Sequence, residues 1–206
     1  MCFSATASFV AGGALSATGA VTLKKAKTWR EAPLASVPLL LGIQQIIEGM
    51  VWISFGKAWL NTAMTYAYTA FSHVLWPVFF PVAVFLIERD PIRKKIIMGM
   101  GAIGLVIGAH VASSIAENSV TACVINKSID YTVPVAYPYL AFALYAIAVC
   151  GVALASSHKI INIFGVVLVI SAAIAGWLYM ATFFSVWCFF AAILSVLIYW
   201  YFRKSR

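Results

Sequence analysis

The chain has 206 residues and a mass of 22.3 kDa; 64% of its residues are hydrophobic and 10% are charged. Soluble globular proteins are roughly 45–50% apolar and about 25% charged. This composition therefore excludes a soluble domain and indicates an integral membrane protein. The net charge of +8 requires no nucleic-acid partner, because excess Lys and Arg in a membrane protein reports loop orientation and contact with anionic headgroups.

Seven apolar stretches are long enough to cross a bilayer, which takes about 20 helical residues. They lie at 3–23, 33–55, 61–87, 95–116, 134–155, 160–179 and 183–202. Residues 160–202 contain neither charge nor proline, but a single helix of that length would be about twice as long as the bilayer is thick. A reversal is therefore expected within Tyr179–Ser185. The sequence predicts an all-α, polytopic seven-helix bundle forming one domain, 1–206.

The basic residues predict the orientation of this bundle. With seven spans, all Lys and Arg except Lys57 and Lys127 fall in the first, third and fifth loops and the C-terminal tail. An excess of Lys and Arg marks the cytoplasmic side. The N-terminus is therefore expected outside and the C-terminus in the cytoplasm. The first span precedes Lys24 with no basic segment before it, so we expect it to be retained rather than cleaved as a signal peptide.

Three ionisable residues fall at membrane depth, where such side chains are costly and usually functional. Glu48 and His110 lie about 22 Å from the inner ends of spans two and four, and His73 of span three lies somewhat deeper. Consecutive antiparallel spans are usually neighbours, so the three are expected to converge in a polar pocket that opens outward. One carboxylate and two imidazoles suit a divalent metal, zinc first, with an open position for water.

Further polar residues are expected to line this pocket or to orient the ligands. Gln44 and Gln45 share the helix face of Glu48, and His110 lies on a polar stripe roughly opposite Gly104 and Gly108. The residues assigned to this role are Gln44, Gln45, Trp52, Ser72, Ser113 and Glu117.

Two other interpretations of the same residues stay open. Glu48 and the histidines suit a pocket that handles protons or a substrate, and they equally suit interhelical hydrogen bonding that only stabilises the bundle. Bis-histidine haem between His73 and His110 is disfavoured by their unequal depths. All lysines lie in loops or at span ends, so a retinal Schiff base is excluded.

Cysteines are expected mainly on the outer side. A disulfide between Cys123 and Cys188 would tie the long fourth-to-fifth connection to the last span, and two free thiols are the alternative. Cys2 would become an amino-terminal cysteine if Met1 were removed.

Two segments resemble a family of small bacterial and archaeal multi-pass membrane proteins of unknown function. The chain opens Met1-Cys2-Phe3-Ser4-Ala5, and Gln45, Glu48 and Trp52 stand in a Q-x-x-E-x-x-V-W segment of the second span. The resemblance implies a prokaryotic cytoplasmic membrane and no established activity. At Gln44, relatives often have histidine.

Three functional hypotheses follow from these observations. The first is a metal site at Glu48, His73 and His110, with metal-activated water hydrolysing a lipid or small amphiphile. The second is a proton-linked carrier that uses Glu48 and the histidines, and the third is a structural or partner-binding membrane protein.

Overall fold

A computed structural model describes residues 4–204, and within them seven helices are long and apolar enough to cross a membrane. They are α1 (Ala5–Leu23), α2 (Ala32–Ser54), α3 (Ala58–Ile87), α4 (Pro91–Glu117), α5 (Pro138–Ala155), α6 (Lys159–Leu178) and α7 (Met180–Lys204). This confirms the all-α seven-helix fold and a multi-pass membrane protein. The helix ends lie within four residues of the predicted bounds.

The expected reversal between the last two spans is present. Helix α6 ends at Leu178, and α7 opens with a 3₁₀ turn at Met180–Thr182 before its α-helical part begins at Phe183. An earlier start than predicted occurs in α4, where the Asp90 side chain accepts hydrogen bonds from the backbone N–H groups of Ile92 and Arg93. An N-cap Asp followed by Pro91 is a strong helix start.

Glycines set the closest helix contacts. On α1, a Cβ added at Gly12 would meet Ile46 at 2.7 Å, and on α2 one at Gly42 would meet the backbone nitrogen of Ser16 at 2.6 Å. On α4, the Gly104 position faces the Pro77 carbonyl of α3. Small residues therefore let backbones approach, as expected where apolar burial does not drive helices together.

The apolar core lies between α2, α3, α5, α6 and α7. It extends from Leu34 near the start of α2 to Phe80 of α3 and Phe164 of α6, whose rings contact each other in a tilted arrangement with centroids 5.8 Å apart.

One end of the bundle, which we call the basic end, contains residues 24–31, 88–90 and 156–158 and the end of α7. Its connections are joined by Glu88, whose carboxylate accepts hydrogen bonds from the Ser156 and Ser157 hydroxyls and from the backbone N–H groups of Ser157, Arg89 and Asp90. This single side chain ties the α3–α4 connection to the α5–α6 connection.

The opposite end, the hairpin end, carries an antiparallel hairpin that was not predicted. Strand β1 (Thr121–Ile125) pairs with β2 (Ser128–Thr132). The two residues between them, Asn126 and Lys127, both have positive φ, as a tight two-residue hairpin turn requires. The segment thus forms a small sheet where the sequence indicated only a long connection.

The hairpin covers the hairpin end of α2 and α3. The Tyr131 ring of β2 stacks on the fully buried Tyr68 ring of α3 with centroids 4.1 Å apart. At the start of the segment, the Tyr66 hydroxyl donates to the Asn118 carbonyl at 3.2 Å. The hairpin is therefore docked on α3 at two points.

Candidate functional site

A group of buried polar side chains lies in the bundle interior below the hairpin, and we call it the polar core. It consists of Gln44, Gln45 and Glu48 of α2, Ser72 and His73 of α3, and Ser185 of α7. All are fully buried except His73, which is 6% exposed. Five of these six residues were predicted, and α7 replaces the expected α4 as the third contributor.

Hydrogen bonds hold the α2 members of the polar core. The Ser185 hydroxyl donates to Glu48 Oε1 at 2.6 Å, and the Trp76 indole N–H donates to Gln44 Oε1 at 2.6 Å. The Gln45 amide, in contrast, has no hydrogen-bond partner among residues 4–204. Because a buried polar group without a partner costs about 1–3 kcal/mol, a polar molecule that bonded to the Gln45 amide would be stabilised there.

His73 is held by its neighbour on a π-helical segment, Ala70–Leu75 of α3. The Ser72 hydroxyl donates to the Tyr68 carbonyl at 2.9 Å and lies 2.7 Å from His73 Nδ1. Since the only hydroxyl proton of Ser72 is used for the carbonyl, Nδ1 is the donor in the second bond, which leaves Nε2 as the acceptor of the neutral ring.

The π-helical segment itself has a local cause. Pro77 lacks the N–H that would bond to the His73 carbonyl, and its ring displaces that carbonyl. Wide turns of this kind occur often at functional sites. The Ser72 carbonyl is bonded from outside the helix by the Tyr145 hydroxyl of α5 at 2.7 Å, so α5 also supports the position of His73.

The expected convergence of Glu48, His73 and His110 is wrong. Within residues 4–204, no three His, Cys, Asp or Glu side chains are close enough to hold a metal ion, and His110 is exposed on the outer face of α4. The cause is the rotation of α4, which packs its Gly104 and Gly108 face against α3. The polar stripe opposite that face is consequently turned away from the bundle.

Three other predicted residues lie away from the polar core, and the rotation of α4 accounts for two of them. Ser113 and Glu117 are exposed, and the Ser113 hydroxyl bonds to the His110 carbonyl of its own helix at 2.8 Å. Trp52 of α2 lies outside the polar core for a different reason. It packs against a small apolar cluster in which Val51 and Tyr68 contact the hairpin residues Ile129 and Tyr131. Gln44, Gln45 and Ser72 are buried members of the polar core.

Ser185 is the polar-core residue that sequence reasoning left out. Ser185 stands in an otherwise apolar run, FFSVWCFF, and a polar residue in such a run was the available signal. Its pairing with Glu48 depends on α7 packing beside α2, a neighbour relation that chain order does not reveal.

Two cavities adjoin the polar core. The smaller, about 130 Å³, has His73 in its wall and is covered by Tyr131, Val133 and Val135. The larger, about 710 Å³, is an apolar groove between α5, α6, α7 and the hairpin. They share four lining residues, Tyr131, Pro138, Phe142 and Phe184. An apolar groove thus lies directly beside the cavity that reaches His73.

The proposed Cys123–Cys188 disulfide is absent from the structure, where both thiols are free. Cys123 is exposed on β1, whereas Cys188 is buried in α7, three residues after Ser185. Cys2, the other cysteine singled out, lies outside the described residues.

We expect maleimide to modify Cys123 quickly and to leave Cys150 and Cys188 unmodified until the protein unfolds, since both are buried. Partial burial and the nearby Asp130 carboxylate raise the pKa of Cys123, so Asp130→Asn should speed its labelling severalfold by increasing the thiolate fraction. Peptide mass spectrometry on a Cys2→Ser background measures both effects. Equal labelling of Cys123 and Cys188 in the folded protein would contradict the arrangement described here.

No curated protein and no solved structure is significantly similar to this chain. A family model does match, over residues 1–206, and its members are described only as proteins of unknown function. The chain belongs to this family of unknown function, DUF6629.

Proposed function

We propose that this protein is a proton-linked carrier of a small amphiphile, with Glu48 as the group that exchanges the proton. The observation that carries the proposal is a fully buried carboxyl group, bonded to Ser185, beside the Gln45 amide that lacks a partner among residues 4–204. Ionisable residues at membrane depth are costly and mark proton relays and substrate pathways.

Proton exchange at Glu48 would change its hydrogen bonding. A charged carboxylate accepts from donors such as Ser185, whereas a protonated one also donates. Because the charged and the protonated carboxyl group make different hydrogen bonds, gain or loss of the proton would favour different positions of α2 and α7. Such a two-state response is what coupling of a proton to a substrate requires.

The cavities support an amphiphile as the substrate. The groove between α5, α6 and α7 is lined mainly by apolar side chains, among them Phe142, Phe183 and Trp187, and suits a hydrocarbon chain. The adjoining cavity has the His73 ring in its wall, which would meet the polar end. Metal-assisted hydrolysis has no support among residues 4–204, because Glu48, His73 and His110 do not come together there to hold a metal ion.

The proposal also includes the membrane that the protein spans and the direction in which it is inserted. The basic end holds the Lys- and Arg-rich connections, so the positive-inside rule assigns it to the cytoplasm and the hairpin end to the exterior. The resemblance to prokaryotic proteins supports a cytoplasmic membrane as the location.

Reconstituted vesicles test the carrier function. With a fluorescent lysophospholipid as the probe, uptake should be faster with an acidic exterior than without a pH gradient, and Glu48→Gln should lower the gradient-dependent rate at least tenfold, roughly the loss expected for one essential group. Glu117→Gln, which removes an exposed carboxylate from α4, is the matched control and should retain the gradient dependence.

Infrared spectroscopy gives a readout that needs no substrate. The carbonyl band of a protonated carboxylic acid should titrate in the wild-type protein and in Glu117→Gln, and the component due to Glu48 should be absent in Glu48→Gln. If no band depends on Glu48 and uptake is the same in both variants, the proposal is wrong and the polar core is structural.

A further inference from the structure

A cavity of about 570 Å³ opens at the basic end, where the α1–α2 and α3–α4 connections meet the start of α6 and the end of α7. It is far from the polar core along the helices and shares no lining residue with either cavity described above. Five cationic side chains line it: Arg30, Arg89, Lys94, Lys159 and Lys204.

The two carboxylates in the cavity are not paired with these cations. Glu88 is bonded to serine hydroxyls and backbone N–H groups, as described for the basic end. Glu31 accepts a hydrogen bond at 2.7 Å from the backbone N–H of Lys27. Within the described part of the chain, neither carboxylate bonds to one of the five cationic side chains. The lining therefore holds five cationic and two anionic side chains, and its excess of positive charge remains to be balanced by an anion from outside the chain.

The rest of the lining suits an anion attached to an apolar group. Part of the cavity wall is apolar and is formed by Leu86, Ile87 and Ile160. The Tyr201 hydroxyl, which lies 3.3 Å from His158 Nδ1, provides a neutral polar contact. The cavity lies at the level of the helix ends, which is the headgroup level of a bilayer. Basic pockets between transmembrane helices at this level bind phosphate-bearing headgroups.

We infer that this cavity binds a phosphate group, either as the monoester headgroup of a membrane lipid or as a free phosphate anion. The guanidinium groups of Arg30 and Arg89 are suited to bidentate phosphate recognition, and the lysines add compact charges. Like charges repel one another when no anion lies between them. The negative charge of a bound phosphate would therefore stabilise the arrangement of these cationic side chains around one cavity. The site is independent of the carrier function proposed above.

Binding to the detergent-purified full chain tests this site with three probes: dihexanoyl phosphatidic acid, inorganic phosphate and dihexanoyl phosphatidylcholine. We expect phosphatidic acid to bind, phosphatidylcholine to bind much more weakly, and the affinity to fall with added salt. The double variant Arg89→Gln/Lys159→Gln, both exposed positions, should raise the Kd for phosphatidic acid at least tenfold, about the effect of losing one to two charge-assisted hydrogen bonds.

The matched control is Lys24→Gln/Lys95→Gln, which removes the same charge from the basic end at exposed positions outside the cavity lining. Its Kd should change less than about twofold, as expected for screened surface charge. Phosphatidic acid binding with little inorganic phosphate binding identifies a lipid ligand, and comparable binding of both identifies a free anion. Equal loss of affinity in the two double variants, or equal binding of phosphatidylcholine, would overturn the site.

Discussion

Replacing Gly104 by alanine is expected to lower the free energy of unfolding by about 3 kcal/mol, the upper part of the range for overpacked interiors. The added Cβ would overlap the Pro77 carbonyl oxygen of α3 and would also meet the Ala148 side chain of α5 at 3.0 Å. A backbone carbonyl cannot rotate away as a flexible side chain can, so α4 and α3 must separate. Reversible unfolding in mixed detergent micelles measures the change.

Gly99→Ala on the same helix is the control. A Cβ at Gly99 has no heavy atom of another element within 4 Å, and alanine is favoured over glycine in a helix by up to about 1 kcal/mol. We therefore expect opposite signs: Gly104→Ala destabilises, and Gly99→Ala is neutral or stabilising. Equal effects would mean that α4 does not pack on α3 through Gly104. They would also undermine the explanation for the exposure of His110, which rests on the same rotation of α4.

Removal of the Glu88 charge is expected to lower the stability at neutral pH by about 2–3 kcal/mol. Burial by itself would raise the pKa of Glu88, but hydrogen bonds from Ser157 and from the backbone N–H groups of Asp90 and Arg89 outweigh it and lower the pKa from 4.5 to about 2. A lowered pKa means that the folded protein holds the charged form more tightly than the unfolded chain does. The difference corresponds to about 3 kcal/mol, and Glu88→Gln forfeits most of it because an amide cannot accept all of these donors.

The pH dependence has a definite sign. The contribution of Glu88 is fully present above pH 4.5, the value for the unfolded chain, and is lost as the pH falls toward about 2. The wild-type protein should therefore lose stability over this window, and Glu88→Gln should lose less. In Glu117→Gln the free energy of unfolding should change with pH as it does in the wild-type protein, since Glu117 is exposed. Parallel stability curves for wild type and Glu88→Gln between pH 5 and pH 2 would show that Glu88 does not carry this hydrogen-bonded charge.

The polar residues of α2 illustrate what pattern alone can find. Gln44, Gln45 and Glu48 are conspicuous in a span that is otherwise apolar, and spacing of three and four residues places them on one helix face. Burial of that face then follows from the cost of exposing it to lipid. His73 and Ser72 were found by the same reasoning, and all five residues lie in the polar core.

His110 shows where that reasoning fails. Its helix has two faces of special composition, a small-residue face and a polar face, and the cost of exposing polar groups to lipid favoured the polar face as the buried one. In the structure, the close approach of Gly104 to the α3 backbone decides the rotation instead. Dispersion contacts over a whole helix face outweigh a few polar groups near its hairpin end.

The sequence by itself determined the membrane-spanning character, the number of helices and the existence of a break near Tyr179, because bilayer thickness and the cost of polar groups act locally on each segment. Only the tertiary structure decided that Ser185 meets Glu48, that the hairpin rests on Tyr68, and that five cationic side chains surround one cavity. These relations join residues distant in the chain. They depend on which helix faces pack together, and that choice follows from the shapes of all the faces at once.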